Sequence, residues 1–236
     1  MNRSKEIFKI ILYKANLLNF FTKLRYNTFH LLREGYDPRK FWNGWSNSYS
    51  RQKAQQRIDK SHYWLLEKIE EIRPKTILEI GCGFGKNLKF LFEHLSFPIM
   101  MVGFDISELM IQKAKNNLND KALLGCADIN ALPFRDKFYD LVFTHATLMH
   151  VSEQNIENAI REISRVTKRY LVIIEETYWS IGNLQGTVLK PNEYTFIYDY
   201  AQLLSKCGLK IIEMKEQKGD WNLIYLLCSK KELLYE

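Results

Sequence analysis

Three glycines and three acids stand where they could do chemistry. Gly81, Gly83 and Gly85 alternate through the turn that follows the apolar run 77–80, and Glu79 lies inside that run. Asp105 ends the next apolar run, 99–105, and Asp128 follows the one after it, 122–127. A short apolar run that opens through glycines into the amphipathic stretch 86–95 reads as strand, tight turn and helix. Glycines serve such a turn by permitting unusual backbone angles and by letting a ligand lie against bare backbone. Ligands of open parallel sheets sit beyond the carboxyl ends of the strands, where all these residues fall. An acid about twenty residues past the glycines can accept two hydrogen bonds from a ribose diol. Asp128 can accept from an exocyclic amine. The ligand so outlined is a nucleoside bearing an amine.

The spacing GxGxG differs from the GxGxxG that marks a dinucleotide site. Glu79, two residues before the first glycine, would repel a pyrophosphate but not a cationic sulfonium with an amino-acid tail. That favours S-adenosylmethionine over NAD. Past the fourth apolar run, His145 has the pKa and the place of a general base, or of a loop histidine that lines the pocket without chemistry. Glu175, Glu176, Tyr178 and Trp179 follow the fifth run and can face an acceptor, although consecutive acids at a strand end are also often solvated. Asp140 opens the fourth run, at the wrong end for the pocket, and reads as structural.

These residues need an alternating scaffold. Strands are expected at 76–81, 99–105, 121–126, 139–144 and 169–175, and helices at 86–95, 107–118 and 153–168, with Ser107 and Ser152 as caps of the last two. Such alternation implies a parallel sheet covered on both faces and linked by right-handed crossovers. A helix from about 55 to 72 should precede it, ended by Arg73-Pro74. A helix over 195–207 and two closing runs, 209–215 and 221–228, should follow, the runs joined through Gly219-Asp220 as an antiparallel hairpin. Tyr36–Tyr49 is rich in aromatics and turn residues, with a boundary at Asp37-Pro38.

With ILEIGCGFG (77–85), VGFDIS (102–107), ADINALPF (127–134), FYDLVFTHATLMHV (138–151) and EISRVTKRYLVI (162–173), the chain resembles the class I S-adenosylmethionine-dependent methyltransferases, in particular the small-molecule group labelled type 11. The resemblance covers roughly residues 40–230. It implies a Rossmann-like α/β fold: a doubly wound, mostly parallel seven-stranded sheet with its last strand antiparallel. It also implies that Gly81, Gly83 and Gly85 pack against the methionine part of the cofactor and that Asp105 holds the ribose hydroxyls. Ile106 would lie beside the adenine, Asp128 and Ile129 would bind it, and Thr144 would lie near the cofactor. An upstream aromatic that closes on the cofactor in this family corresponds to Tyr49. His150 matches a histidine frequent in the family, as a packing residue or a base.

The expected reaction is methyl transfer to a small molecule or a lipid- or glycan-linked intermediate, with oxygen as the expected atom; His145, His150 and Glu176 are the catalytic candidates. No Asn/Asp-Pro-Pro-Tyr follows the fourth run and no Pro-Cys pair occurs, which sets aside amine-clamping and cytosine-C5 chemistry. Alternatives are an RNA methyltransferase docked through a basic arm and a non-catalytic cofactor-binding module. The formal net charge of the 236 residues is +7, and residues 1–40 hold nine Lys/Arg against three acids. The excess charge therefore belongs to that extension and not to the domain expected over 41–236, which weakens a nucleic-acid reading. Residues 5–24 alternate polar and apolar faces at helical spacing, with Lys9 and Lys14 interrupting any membrane span. They read either as a packing helix or as a basic amphipathic helix on an anionic membrane. Four scattered cysteines suggest reduced thiols and a cytoplasmic place, with no metal site expected.

Overall fold

The computed structural model describes residues 36–177, 188–190, 195–218 and 222–230. The chain divides after Asp37, and the unit that follows runs from Pro38 to Glu236. The sequence readings for residues 5–24, for Tyr178 and Trp179, and for the Gly219-Asp220 turn lie outside the described residues.

Strands β1 (Thr76–Ile80), β2 (Met100–Asp105), β3 (Leu123–Cys126), β4 (Tyr139–His145), β5 (Thr167–Glu176), β8 (Leu209–Gln217) and β9 (Leu223–Lys230) form one sheet in the order β3-β2-β1-β4-β5-β9-β8. β1 to β5 run parallel, while β9 is antiparallel to both β5 and β8. β6 (Val188–Lys190) and β7 (Thr195–Ile197) pair separately. The helices are α1 (Pro38–Tyr49), α2 (Lys53–Gln56), α3 (Lys60–Ile72), α4 (Lys86–His94), α5 (Glu108–Leu118), α6 (Ile156–Val166) and α7 (Tyr200–Lys206), with a 3-10 turn at Leu148–His150. This is the doubly wound seven-stranded fold expected from the sequence.

Alternation along the strands makes two cores. Leu78, Val142, Ile173 and Leu226 join Ile160 and Ile163 of α6 and Leu204 of α7 on one face. Ile77, Phe143, Val172 and Tyr225 join Leu65 of α3, Leu91 of α4 and Ala114 of α5 on the other. Asp140 accepts from Lys75 N at 2.9 Å at the amino end of the sheet, a structural place as its position implied.

Local chemistry redraws three of the expected helices. The helix expected over 55–72 breaks before α3, because Asp59 takes the extended N-cap conformation. Its side chain accepts from Ser61 N, and its own N–H is taken by His62 Nδ1, a capping box that outcompetes helical continuity. The helix over 195–207 is shortened to α7, since Thr195-Phe196-Ile197 pairs as β7 and Asp199 caps the helix through Gln202 N. Ser152 does not cap α6; Asn155 precedes its first turn, and Ser152 O accepts from Asn155 N and Ile156 N. The aromatic stretch after Asp37 is helical as α1, with Pro38 at the first position, where its missing N–H costs nothing.

Glu79 is wholly buried in β1, with Oε1 taking Asn87 Nδ2 of α4 at 2.6 Å. Burial pushes its carboxyl up to about 8, against the opposing pull of Asn87 and Lys86. Glu79 is thus uncharged at neutral pH, and the argument that it repels a pyrophosphate fails. Its structural work is to tie β1 to the helix across the glycine turn.

Two predictions follow from this burial. The last strand in sequence lies inside the sheet, between β5 and β8, and Leu226 is fully buried, so Leu226→Ala should cost about 2–5 kcal/mol in urea unfolding. Met214→Ala, on the exposed side of edge strand β8, should stay within about 0.5 kcal/mol. For Glu79, the unfolded carboxyl loses its proton near its ordinary 4.5 while the folded one keeps it to about 8. Stability therefore falls as pH rises through that window, by up to about 1.4 kcal/mol per unit. Urea unfolding between pH 5 and 8 should show this slope, and Glu79→Gln should flatten it.

Candidate functional site

The glycine turn is fastened to the end of β2. Gly81 N and Cys82 N both donate to Phe104 O, at 2.7 and 3.0 Å, and Gly83 N donates to Asp105 Oδ2 at 2.9 Å. The two glycines differ in what surrounds them. A Cβ on Gly81 would come within 2.3 Å of the Thr147 side chain, whereas one on Gly83 would meet no heavy atom within 4 Å. Both have positive φ, 74° and 53°. Gly81 thus serves close packing, and Gly83 presents bare backbone to open space, as a ligand needs.

Asp105 joins this turn to the next. Its Oδ1 accepts from Ser107 N at 2.8 Å, and its backbone oxygen accepts from Ala127 N at 3.1 Å, which brings the end of β3 alongside. Burial raises the Asp105 pKa, while N–H groups of Ser107, Gly83 and Ile106 oppose the rise. Ile106 is half-buried, and its carbonyl takes Cys126 Sγ at 3.3 Å. Asp128 Oδ1 accepts from Asn130 N and Nδ2, at 2.8 and 2.9 Å, and Asn158 of α6 holds Asn130 O at 3.0 Å. Ile129 packs against the core beside this turn. Gly85, Asp105, Ile106, Asp128 and Ile129 therefore share the carboxyl ends of β1, β2 and β3.

α1 reaches the same edge. Asn43 Oδ1 accepts from Ser107 Oγ at 2.7 Å. Tyr49 stacks edge-on to Phe84 of the glycine turn, centroids 6.4 Å apart, and its hydroxyl is pushed up to about 12 by burial and then by the Asp105 charge. Trp42 touches both Tyr49, at 5.3 Å, and His150, at 4.9 Å. Tyr49 and His150, far apart in sequence, thus meet through one indole. Nothing in the local sequence pattern marked Asn43 or Trp42 for this role.

The end of β4 is clamped from β5. Glu175, wholly buried, accepts from the N–H groups of Thr147, Leu148 and Met149 at 3.0, 3.0 and 3.2 Å. Burial nevertheless pushes its carboxyl up to about 7. Thr144, also buried, lies beside it, and Glu176 is buried next in the strand. Of this pair of acids, Glu175 is the one that shapes the loop carrying His150. His145 turns the other way, to α3: its Nε2 lies 3.1 Å from Ser61 Oγ, and its ring is 4.9 Å from that of His62. Its pKa is driven well below the ordinary value by burial, then by His62 and Lys86. No local pattern marks Ser61 as its partner, because the two are 84 positions apart.

The residues present fit an adenosyl group: open backbone at Gly83, a carboxylate at the neighbouring strand tip, and a tyrosine face beside both. A family model described as a methyltransferase domain matches residues 78–173. Malonyl-[acyl-carrier protein] O-methyltransferase of Halorhodospira halophila is 29% identical over 143 residues, 58% of this chain and 48% of that protein. Phosphoethanolamine N-methyltransferase of Plasmodium falciparum is 23% identical over 185 residues, 72% of this chain and 69% of that protein. The chain spans about half the length of several of the curated relatives it matches. An S-adenosylmethionine-dependent methyltransferase structure from Aquifex aeolicus superposes with a TM-score of 0.59, covering 82% of this chain and 99% of that one at 21% identity, which shows the fold. Residues 78–173 thus carry a methyltransferase domain, and the fold around them is that of class I S-adenosylmethionine-dependent methyltransferases.

Proposed function

We propose that this domain transfers a methyl group from S-adenosylmethionine to an oxygen of a small-molecule, lipid-linked or glycan-linked acceptor. The observation that carries the reading is the pairing of Gly83 with Asp105: bare backbone and a carboxylate at adjacent strand tips, joined by a 2.9 Å hydrogen bond. In this reading Gly81, Gly83 and Gly85 shape the methionine pocket, with Glu79 bracing it from below. Asp105 takes the ribose hydroxyls, and Ile106, Asp128 and Ile129 border the adenine. Tyr49 closes over the sugar, and Thr144 lies beside the reacting end. The bound cofactor supplies an electrophilic methyl group on a sulfonium. What the chain adds is alignment and exclusion of water, the main protein contributions to an in-line displacement. The aromatic face of Trp42, Tyr49 and His150 is suited to the second task.

Relatives named for O-, N- and C-methyl transfer all match this chain, the last a sterol 4-C-methyltransferase of Caenorhabditis elegans at 26% identity over 122 residues. Oxygen is favoured here by the His-Ala-Thr-Leu sequence at 145–148, where an amine clamp would need paired prolines. The fold alone does not choose a reaction. Titration calorimetry should give S-adenosylhomocysteine a Kd of about micromolar order. Asp105→Ala should abolish that binding, and unchanged affinity would remove the ribose contact.

The basic extension carries a separate proposal, contact with an anionic membrane surface by a cytoplasmic protein. Residues 1–40 hold most of the net charge, and 5–24 are amphipathic in sequence. Full-length protein should co-sediment with vesicles containing phosphatidylserine, and protein starting at Tyr36 should stay in the supernatant. Equal pelleting of the two would dismiss it.

A further inference from the structure

The turn after β4 closes around an anion, and that anion is a side chain of β5. Ala146 stands at φ 54°, in the left-handed region that favours glycine. Beyond it the N–H groups of Thr147, Leu148 and Met149 converge, as in the backbone nests that bind anionic groups. Both oxygens of Glu175 fill this nest. Oε1 accepts from Thr147 N at 3.1 Å and Leu148 N at 3.0 Å, and Oε2 from Thr147 N at 3.0 Å and Met149 N at 3.2 Å. A protonated carboxyl carries its hydrogen on one of these oxygens, among N–H groups that need acceptors. The turn in this shape is built for the carboxylate.

Two sides of the cofactor site hang on that turn. Thr147 lies against the first glycine: a Cβ on Gly81 would come within 2.3 Å of its side chain, and its Oγ1 is 3.5 Å from Gly81 O. His150, one residue past the nest, meets Trp42 of α1 at 4.9 Å, and Trp42 meets Tyr49 at 5.3 Å. Tyr49 in turn touches Phe84 of the glycine turn. One buried carboxylate thus stands behind both the glycine turn and the helix that reaches it.

The surroundings of Glu175 oppose its charge. It is wholly buried, and β9 sets Ile224 beside it. Tyr200 of α7 faces it with a buried hydroxyl that has no hydrogen-bond partner among the described residues. Thr144 of β4 lies beside it, and Glu176, next in β5, faces the same tyrosine. Burial raises the Glu175 carboxyl to about 7 against the pull of the three N–H groups. Packing alone gives no reason to bury a charge here.

We propose that Glu175 is a positioning residue for methyl transfer: its carboxylate sets the 147–150 turn, and only the charged form holds Thr147 against Gly81 and His150 against Trp42 for the cofactor. The proposal rests on the methyl-transfer reading and deepens it, since the cofactor then selects the deprotonated protein. Two opposite slopes follow. The unfolded carboxyl loses its proton near its ordinary 4.5 and the folded one near 7, so stability declines as pH rises through that window. Cofactor affinity runs the other way, rising about tenfold from pH 6 to 8 as the carboxylate form fills. A residue that served the fold alone would give the first slope without the second.

Calorimetry of the full chain with S-adenosylmethionine at pH 6, 7 and 8 reads the second slope, with Glu175→Gln beside it. Glu79 and the amino group of the cofactor titrate in both proteins, so the difference between the two belongs to Glu175. The variant should bind about tenfold more weakly at pH 8, and the gap should close towards pH 6. Equal pH profiles overturn the proposal and leave methyl transfer standing. Where Glu175→Gln does not fold, nitrogen-15 amide spectra of the unaltered chain decide. The Thr147, Leu148 and Met149 signals should shift together with a midpoint near pH 7, and signals that hold still from pH 6 to 8 overturn the proposal. Failure of the unaltered protein to bind S-adenosylmethionine at any of these pH values sinks both readings.

Discussion

The carboxylate of Asp105 holds two turns at once, and the open edge of the sheet is arranged around it. One oxygen takes the N–H of Gly83 and the other that of Ser107, so the glycine turn and the start of α5 cannot move independently. Ser107 passes the constraint to α1 through Asn43, and the Asp105 carbonyl passes it to the end of β3 through Ala127. A carboxylate in a buried place is disfavoured, and three backbone N–H groups offset part of that cost. The same bonds that make Asp105 tolerable also hold the glycine turn and the start of α5 in one arrangement.

Much of this was legible in the sequence, and for a physical reason. Strands and helices of an alternating fold carry their own periods, and a glycine turn between them needs no distant partner to be recognised. Asp105 and Asp128 stood out because each follows an apolar run. The structure adds that each also closes its own turn, through Ser107 N and Asn130 N. Each carboxylate is thus a turn-closing group in its own right.

What stayed hidden depended on long-range packing. The break at Asp59 arises because a cap and a histidine answer each other across one turn, a choice that helical periodicity does not report. The charge of Glu79 is set by complete burial, so a sequence argument that treated it as an anion reached the right cofactor by a wrong step. Asn43, Trp42 and Ser61 acquire their roles only when α1 and α3 arrive at the strand tips. Pairings so distant in the chain leave no local pattern.

The two ends of the sheet show why those arrivals matter. At the amino end, Asp140 takes Lys75 N and lies 3.6 Å from Lys168 Nζ, while its own N–H goes to Thr76 Oγ1, an ordinary set of satisfied groups. At the carboxyl end, Glu79, Asp105 and Glu175 are all pushed towards their protonated forms and His145 towards its neutral one. Unpaired atoms gather there too, at Glu79 Oε2, Asn87 Oδ1, His62 Nε2 and His145 Nδ1. Packing that served stability alone would not concentrate such costs at one edge. A cation brought beside these acids favours their charged forms and offsets the burial that disfavours them. The edge is therefore electrostatically matched to a cationic group such as a sulfonium, while the closed turns at Gly83 and Asp128 hold the strand tips in place.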